Sequence, residues 1–259
     1  MGEPGGLSSV RNAARVLKAF TSNHRLYGVS ELARRLELST SSVHRLLTTL
    51  ESEHLIEQDE ATGKYRLGLA IFDLTAAVAP GYDLSDALLP PMTVLRNRTG
   101  DTVQVAVLDG RQVVYIERLD SPHTLRMFLG VGRRNWAHCT STGKVLLAHL
   151  PGTELEMLLE GWDLPVITGQ TITDVELLKK ELAQVKDLGY AQNNGESEAD
   201  TLSVGAPIRD ATGRVIAAMS VAGPRARMDA EIAALRFAVM EAAGAASMRL
   251  GHHSRRAVR

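Results

Sequence analysis

Apolar residues at Val10, Ala13, Ala14, Val16, Leu17 and Phe20 recur at helical spacing behind Ser8 or Ser9, either of which suits an N-cap, so a first helix is predicted over 10–20. A Thr-Ser-Asn-His turn separates it from two short helical patterns set almost back to back, about Ser30–Leu36 and Thr40–Ser52. Between 29 and 48, Leu32, Leu36, Leu38, Val43 and Leu46 fall where a two-helix unit must bury side chains, and Ala33 is small where the helices would cross. Two short strands follow, Leu55–Gln58 and Lys64–Leu67, around a polar Thr-Gly turn. The pattern predicts a winged helix-turn-helix over 9–68, with its helix-turn-helix at 29–48 and residues 1–8 as a flexible N-terminus.

Beyond the wing, "LAIFDLTAAVA" reads as a linker helix within 69–82, ended by Pro80-Gly81. An α/β pattern then runs over 83–251. It contains a helix near Leu84–Thr99, a hairpin "TVQVAVLDGRQVVYIERL" turning on Asp109-Gly110, and helices near Ser141–Leu150 and Val175–Leu188. A second strand pair turns at 210–213 before a last helix from about Asp229 to Leu250, and a basic tail occupies 252–259. The fold class expected is α+β: a winged helix-turn-helix joined by a linker helix to an α/β domain. No internal repeat or low-complexity tract interrupts it.

Charge changes this picture little. The formal net charge is −1 with a pI near 6.7, so no global basic field points to nucleic acid and any such binding must come from local geometry. Residues 1–67 carry nine Lys/Arg against eight Asp/Glu, a net of +1. One copy should therefore bind DNA weakly, and two copies would double the phosphate contacts and their salt dependence. The single cysteine, Cys139, excludes an internal disulfide framework and fits a reducing cytosol. "MGEPGGLSS" lacks a charged segment followed by an apolar core, and no stretch approaches the roughly 18 apolar residues a membrane helix needs. A cytoplasmic protein with no membrane partner is expected.

Ser39, Thr40, Ser41 and Ser42 stand in a row at the start of the second helix of the pair. In a helix-turn-helix that helix enters the major groove, where short hydrogen-bonding groups allow close approach and the helix N-terminus attracts phosphate. One of the hydroxyls caps the helix. Thr40, Ser41, Ser42, His44, Arg45 and Thr48 are the candidate readers or clamps, Arg34 and Arg35 lie near backbone, and Lys64 and Arg66, with Tyr65, could add phosphate contacts from the wing. In the second domain, "NWAHCTSTGK" places Thr140, Ser141, Thr142 and Gly143 at a helix start, where free N–H groups make a receptor for a carboxylate or carbonyl.

The stretches "SSVRNAARVLKAF", "GVSELARRLELSTSSVHRLLTTLESEHLIEQDEATGKYRLG", "HCTSTGKVLLAHL" and "GYAQNNGESEADTLSVGAPIRDATGRVIAAMSVAGP" together resemble the IclR family of bacterial transcriptional regulators. The resemblance covers nearly the whole chain in order. It implies that the linker helix helps dimerisation and that the second domain is GAF-like and binds a small effector, often an organic acid. It also implies homodimers that pair into homotetramers on double-stranded operator DNA. Carried over residue by residue, the effector positions are Ser141, Thr142, Gly143, Asn193, Ser203 and Ser220, with Met127 and Leu129 as apolar wall. Asn193 stands where Asp is usual and Ser203 where Cys is usual. Loss of a carboxylate there should favour an anionic ligand. Glu37 stands where glycine is usual because that turn residue often has positive φ.

Other residues carry less. Cys139 beside His138 would be a nucleophile and base only if they faced each other; adjacent residues on an extended segment do not, so a core or pocket-wall thiol is expected. His138 with His149, and His252 with His253, match no recognised metal spacing, and no cofactor is expected. Glu196 and Glu198 read as solvated loop carboxylates. A ligand-responsive transcription factor is the function expected. An enzyme would need a nucleophile, metal set or phosphate loop that the sequence does not display, and a purely architectural DNA-binding protein would have no use for a pocket-forming second domain.

Overall fold

The computed structural model describes residues 6–21, 24–78, 84–123 and 130–252, and the chain divides into two compact units, 1–81 and 82–259. In the first unit, α1 (Ser8–Ala19), α2 (Val29–Leu36) and α3 (Thr40–Ser52) precede a two-stranded antiparallel wing, β1 (Ile56–Gln58) and β2 (Tyr65–Leu67), in which Ile56 faces Leu67. Helix α4 (Ala70–Val78) follows. Val16, Leu32, Val43, Leu47 and Ile56 are sealed in its core with Tyr27 and Tyr65. Each such aliphatic side chain contributes about 1.5–3 kcal/mol by leaving water.

Two expectations are corrected. Ser8 is already helical, and the N-cap of α1 is Leu7 with no side-chain cap bond, so neither Ser8 nor Ser9 caps it. In place of Leu46, which is only half-buried, α3 buries Leu47, because a turn of 3.6 residues from Val43 brings Leu47 back to the inner face. Between α2 and α3, Glu37 has φ +57° and ψ +42°, and it is the left-handed C-cap of α2, its N–H donating to the Ala33 carbonyl. The Arg15 guanidinium donates to the Leu36 carbonyl at 2.7 Å and so ties α1 to the same helix end.

The second unit is a six-stranded antiparallel sheet in the order β5-β4-β3-β8-β7-β6. Its strands are β3 (Thr102–Asp109), β4 (Gln112–Leu119), β5 (Arg134–Trp136), β6 (Ala191–Asn194), β7 (Thr201–Arg209) and β8 (Val215–Pro224). Alternation along β3, β7 and β8 sends Val103, Val105, Leu202, Val204, Met219 and Val221 to one face, where α5 (Leu84–Thr99) and α10 (Ile232–Arg249) cover them. On the other face Ala106, Tyr115 and Ala218 pack with α6 (Ser141–Ala148) and α8 (Val175–Leu188), while α7 (Gly152–Leu159) leans on the same core and α9 (Arg225–Met228) follows β8. All eight residues of α6 are buried.

The sequence pattern missed α7, α9, β5 and β6: none has more than eight residues, and the three residues Arg134–Trp136 are too few to display alternation. The last long helix begins at Ile232 rather than Asp229, since 229–231 form a single 3₁₀ turn. The expected apolar wall residues Met127 and Leu129, residues 1–5 and the tail beyond His252 lie outside the described residues.

Candidate nucleic-acid interface and candidate ligand site

The row of hydroxyls opening α3 is sorted by geometry. Ser39 is the cap: its Oγ accepts from the Ser42 N–H at 3.2 Å, and its own hydroxyl donates to Ser42 Oγ at 2.8 Å, which leaves Ser42 half-buried against the cap. Thr40, Ser41, His44, Arg45 and Thr48 are exposed, on the side opposite buried Val43, Leu47 and Leu50. The Thr48 hydroxyl donates to the His44 carbonyl one turn back. Arg34 and Arg35 are exposed in the last turn of α2, with the Arg35 guanidinium 5.6 Å from the Tyr27 ring centroid. On the wing, Lys64 lies 3.3 Å from Glu31 and Arg66 2.5 Å from Glu57. Both pairs are open to solvent, the first half-buried, and such pairs are weak enough for a phosphate to compete. The Gly28 N–H, and then Lys64, hold the Glu31 carboxyl below its ordinary range.

In the second unit the sheet places small and polar groups in a row beneath the start of α6. Gly205 on β7 is registered with Ser220 on β8, and Ser220 with Gln104 on β3. A side chain at Gly205 would come within 3.0–3.2 Å of the Ser141 backbone and the Thr142 nitrogen, so the first turn of α6 rests directly on the sheet there. Ser141 Oγ and Ser203 Oγ lie 2.8 Å apart and share a hydrogen bond. As first-turn groups, the Ser141 and Thr142 N–H groups have no intrahelical acceptor. Around them Ser220 Oγ and Gln104 Oε1 are buried without a hydrogen-bond partner among the described residues, whereas the buried Thr142 hydroxyl has the Tyr115 phenol as a polar neighbour. Buried polar atoms are seldom left so, and two side by side on neighbouring strands mark a place where something polar is missing.

Two of the expected ligand residues have other work. The Gly143 N–H is taken by the Thr140 hydroxyl, which caps α6, and a Cβ at Gly143 would sit 2.2 Å from the Ala137 carbonyl oxygen. Its requirement is close packing. Asn193, registered with Ser203, accepts from the Glu196 N–H at 2.7 Å and donates to Ser197 Oγ at 2.9 Å, so its amide organises the turn after β6. Gln104 was missed; its signal was a lone amide between Val103 and Val105 in an otherwise apolar strand.

Glu196 corrects a further expectation. It is buried, not solvated: Lys144, fully buried in α6, donates to Glu196 Oε1 at 2.8 Å and to Glu181 Oε1 at 2.9 Å. Glu198 is exposed. Burial raises the Glu196 carboxyl above its ordinary value, with Lys144 opposing. His138 and Cys139 lie in a 3₁₀ turn, not an extended segment, and both are buried. Burial, then Glu196, pushes the Cys139 thiol up to about 12, which keeps it protonated and inert at neutral pH. Burial lowers His138, whose Nε2 lies 3.1 Å from the Pro165 carbonyl oxygen. A separate open groove of about 400 Å³, whose lining includes Pro207, Met240, Gly244 and Met248, lies along α10. No helix among the described residues is long and apolar enough to cross a membrane.

Comparison with known proteins identifies the family of both units. The family described as "IclR helix-turn-helix domain" matches residues 9–60, and "Bacterial transcriptional regulator IclR C-terminal" matches 76–248. The chain is 34% identical to the HTH-type transcriptional regulator XynR of Escherichia coli over 247 residues, 95% of this chain and 98% of that protein. It is 34% identical to the HTH-type transcriptional regulator KdgR of the same species over 252 residues, 97% and 95% of the two. Among solved structures, an IclR homolog from Microbacterium hydrocarbonoxydans complexed with 4-hydroxybenzoate superposes with a TM-score of 0.83 at 29% identity, covering 94% of this chain and 99% of that one.

Proposed function

The chain belongs to the IclR family of DNA-binding transcriptional regulators, and from that premise we propose that its grip on operator DNA, or its activity there, is controlled by a small carboxylic acid bound in the second unit. The observation that carries this reading is the pair of buried polar atoms, on Ser220 and Gln104, that have no partner among the described residues, in the row of the sheet that runs beneath the start of α6. The helix start supplies N–H donors and a positive dipole end for a carboxylate. Ser203, replacing the thiol usual in the family, adds a stronger donor next to them. The small-molecule complex of the Microbacterium homolog supports a ligand of this class.

In the first unit, Thr40, Ser41, His44, Arg45 and Thr48 are the base-edge and phosphate contacts, with Arg34, Arg35, Lys64 and Arg66 on the flanking backbone and Ser42 acting through the cap. The near-balance of charge in this unit calls for two or more copies on one operator, as a dimer or a dimer of dimers. The setting is the cytoplasm, and the second unit senses rather than catalyses. Electrophoretic shift of the DNA beside the protein's own gene, with and without a panel of acids that begins with 4-hydroxybenzoate, tests the reading. An unshifted operator, or a shift that no acid alters while calorimetry detects none bound, would refute it.

A further inference from the structure

We infer that Gln104 is a specificity residue of the ligand site, selecting acids that carry a hydroxyl at the end remote from the carboxylate. The inference rests on the acid-binding reading above and adds a second pole to it. Gln104 is 3% exposed, and its strand neighbours Val103 and Val105 belong to the opposite face, so its side chain stands on the α6 face of the sheet. Registered with Ser220, which is registered with Gly205 under the α6 start, it lies two strands away from that helix end. That separation is roughly 10 Å at ordinary strand spacing, and the side chain leans back over part of it. A ligand touching both poles must therefore span about 5–10 Å.

The chemistry of the far pole follows from what is unsatisfied there. Gln104 Oε1 is an acceptor without a donor among the described residues, and Ser220 Oγ beside it can donate or accept. A ligand hydroxyl meets both, and meets the amide whichever way it is turned. A methyl group leaves the acceptor stranded in a dry site, and a second carboxylate offers it only further acceptors. An ammonium group would satisfy the acceptor but would stand near the next residue in the row, Arg118, which is registered with Gln104 and bonded to Asp120 at 2.7 Å. The positive end of α6 disfavours it too. A hydroxyl fits every constraint.

The test uses the full chain and calorimetry with matched acids in which hydroxyl and methyl exchange: 4-hydroxybutyrate against pentanoate, 5-hydroxypentanoate against hexanoate, and 6-hydroxyhexanoate against heptanoate. In the parent, at least one hydroxy acid should bind about tenfold or more tightly than its methyl partner. Gln104→Met, which keeps length but removes the amide, should abolish that preference while retaining affinity for the alkyl acid. Equal binding within every pair overturns the inference while leaving the acid site standing. A preference that survives in Gln104→Met, with an unchanged urea midpoint, removes the assignment to Gln104. Because the parent comparison needs no variant, a poorly folded Gln104→Met leaves the first criterion decisive. Failure of all six acids to bind brings down the acid-site reading itself, and the inference with it.

Discussion

Replacing Lys144 by Met should destabilise the second unit strongly at neutral pH and much less in acid. The side chain of Lys144 is 1% exposed, that of Glu196 8% and that of Glu181 32%. Removing the ammonium therefore affects the two carboxylates differently: Glu181 can turn to water, whereas Glu196 is left with the Asn194 N–H at 3.4 Å. Breaking a buried pair on one side costs about 3–5 kcal/mol, because the remaining charge is stranded. Met keeps most of the aliphatic volume, so the loss is mainly electrostatic.

The pH dependence has a definite sign. Burial already raises Glu196 above the ordinary 4.5, and loss of Lys144 must raise it further. A group with a raised folded pKa binds more protons folded than unfolded. Its contribution is fully present below the unfolded pKa and is lost as pH rises through the folded one, at up to about 1.4 kcal/mol per pH unit. The penalty of Lys144→Met relative to the parent should thus be full near pH 8 and shrink toward pH 5. Adding Glu196→Gln should recover about 1–3 kcal/mol at pH 8. Urea unfolding followed by tryptophan fluorescence reads this unit alone, since both tryptophans, Trp136 and Trp162, belong to it. A penalty below about 1 kcal/mol, or one equal at both pH values, would refute the reasoning.

Glu37→Gly should stabilise the first unit by about 0.5–1 kcal/mol in thermal unfolding, since a left-handed residue with a Cβ costs more than the extra freedom glycine gives the unfolded chain; a loss would mean the Glu37 side chain makes a contact worth more than the strain. Gly143→Ala should displace the start of α6, because its Cβ would lie 2.2 Å from the Ala137 carbonyl oxygen; acid binding by calorimetry should be lost while operator binding without acid persists. Arg45→Ala should weaken operator binding by about 1–3 kcal/mol and relax preference at one base pair in an anisotropy assay if the guanidinium reads guanine; an equal loss on every sequence would assign it to phosphate.

The helix-turn-helix and the two sheet hairpins were legible because each is local: Leu32 and Leu36 sit one turn apart, and Val103 and Val105 one strand period apart. The candidate site was legible from the residues alone only where a helix start announced it, at Thr140 to Thr142. Nothing in the sequence sets Lys144 apart from an ordinary helix lysine. Its burial depends on Glu181 and Glu196, 37 and 52 residues along the chain, and no periodicity within α6 encodes partners at such distances. Glu196 looked like a loop carboxylate for the same reason. Its fate was decided by the tertiary neighbour, not by the polar company of "NNGESEAD".

The same dependence on neighbours lets one sheet face be core at one level and a candidate binding surface at the next. Pro207, Ala218, Ala106 and Tyr115 form one row across β7, β8, β3 and β4, and the neighbouring row holds Gly205, Ser220, Gln104 and Arg118. Ala106, Ala218 and Tyr115 pack with α6 as ordinary core. One step along the strands, the helix has reached its first turn and presents N–H groups instead of apolar side chains, so residues opposite it must be small or polar. Gly205 is required for the approach, whereas Ser220 and Gln104, beyond the helix end, are held in a buried patch without partners among the described residues. A purely structural sheet would gain by apolar residues at both positions, since each unsatisfied group costs about 1–3 kcal/mol. Their retention is intelligible if a ligand restores the missing hydrogen bonds, and the stability given up there becomes binding free energy when it does.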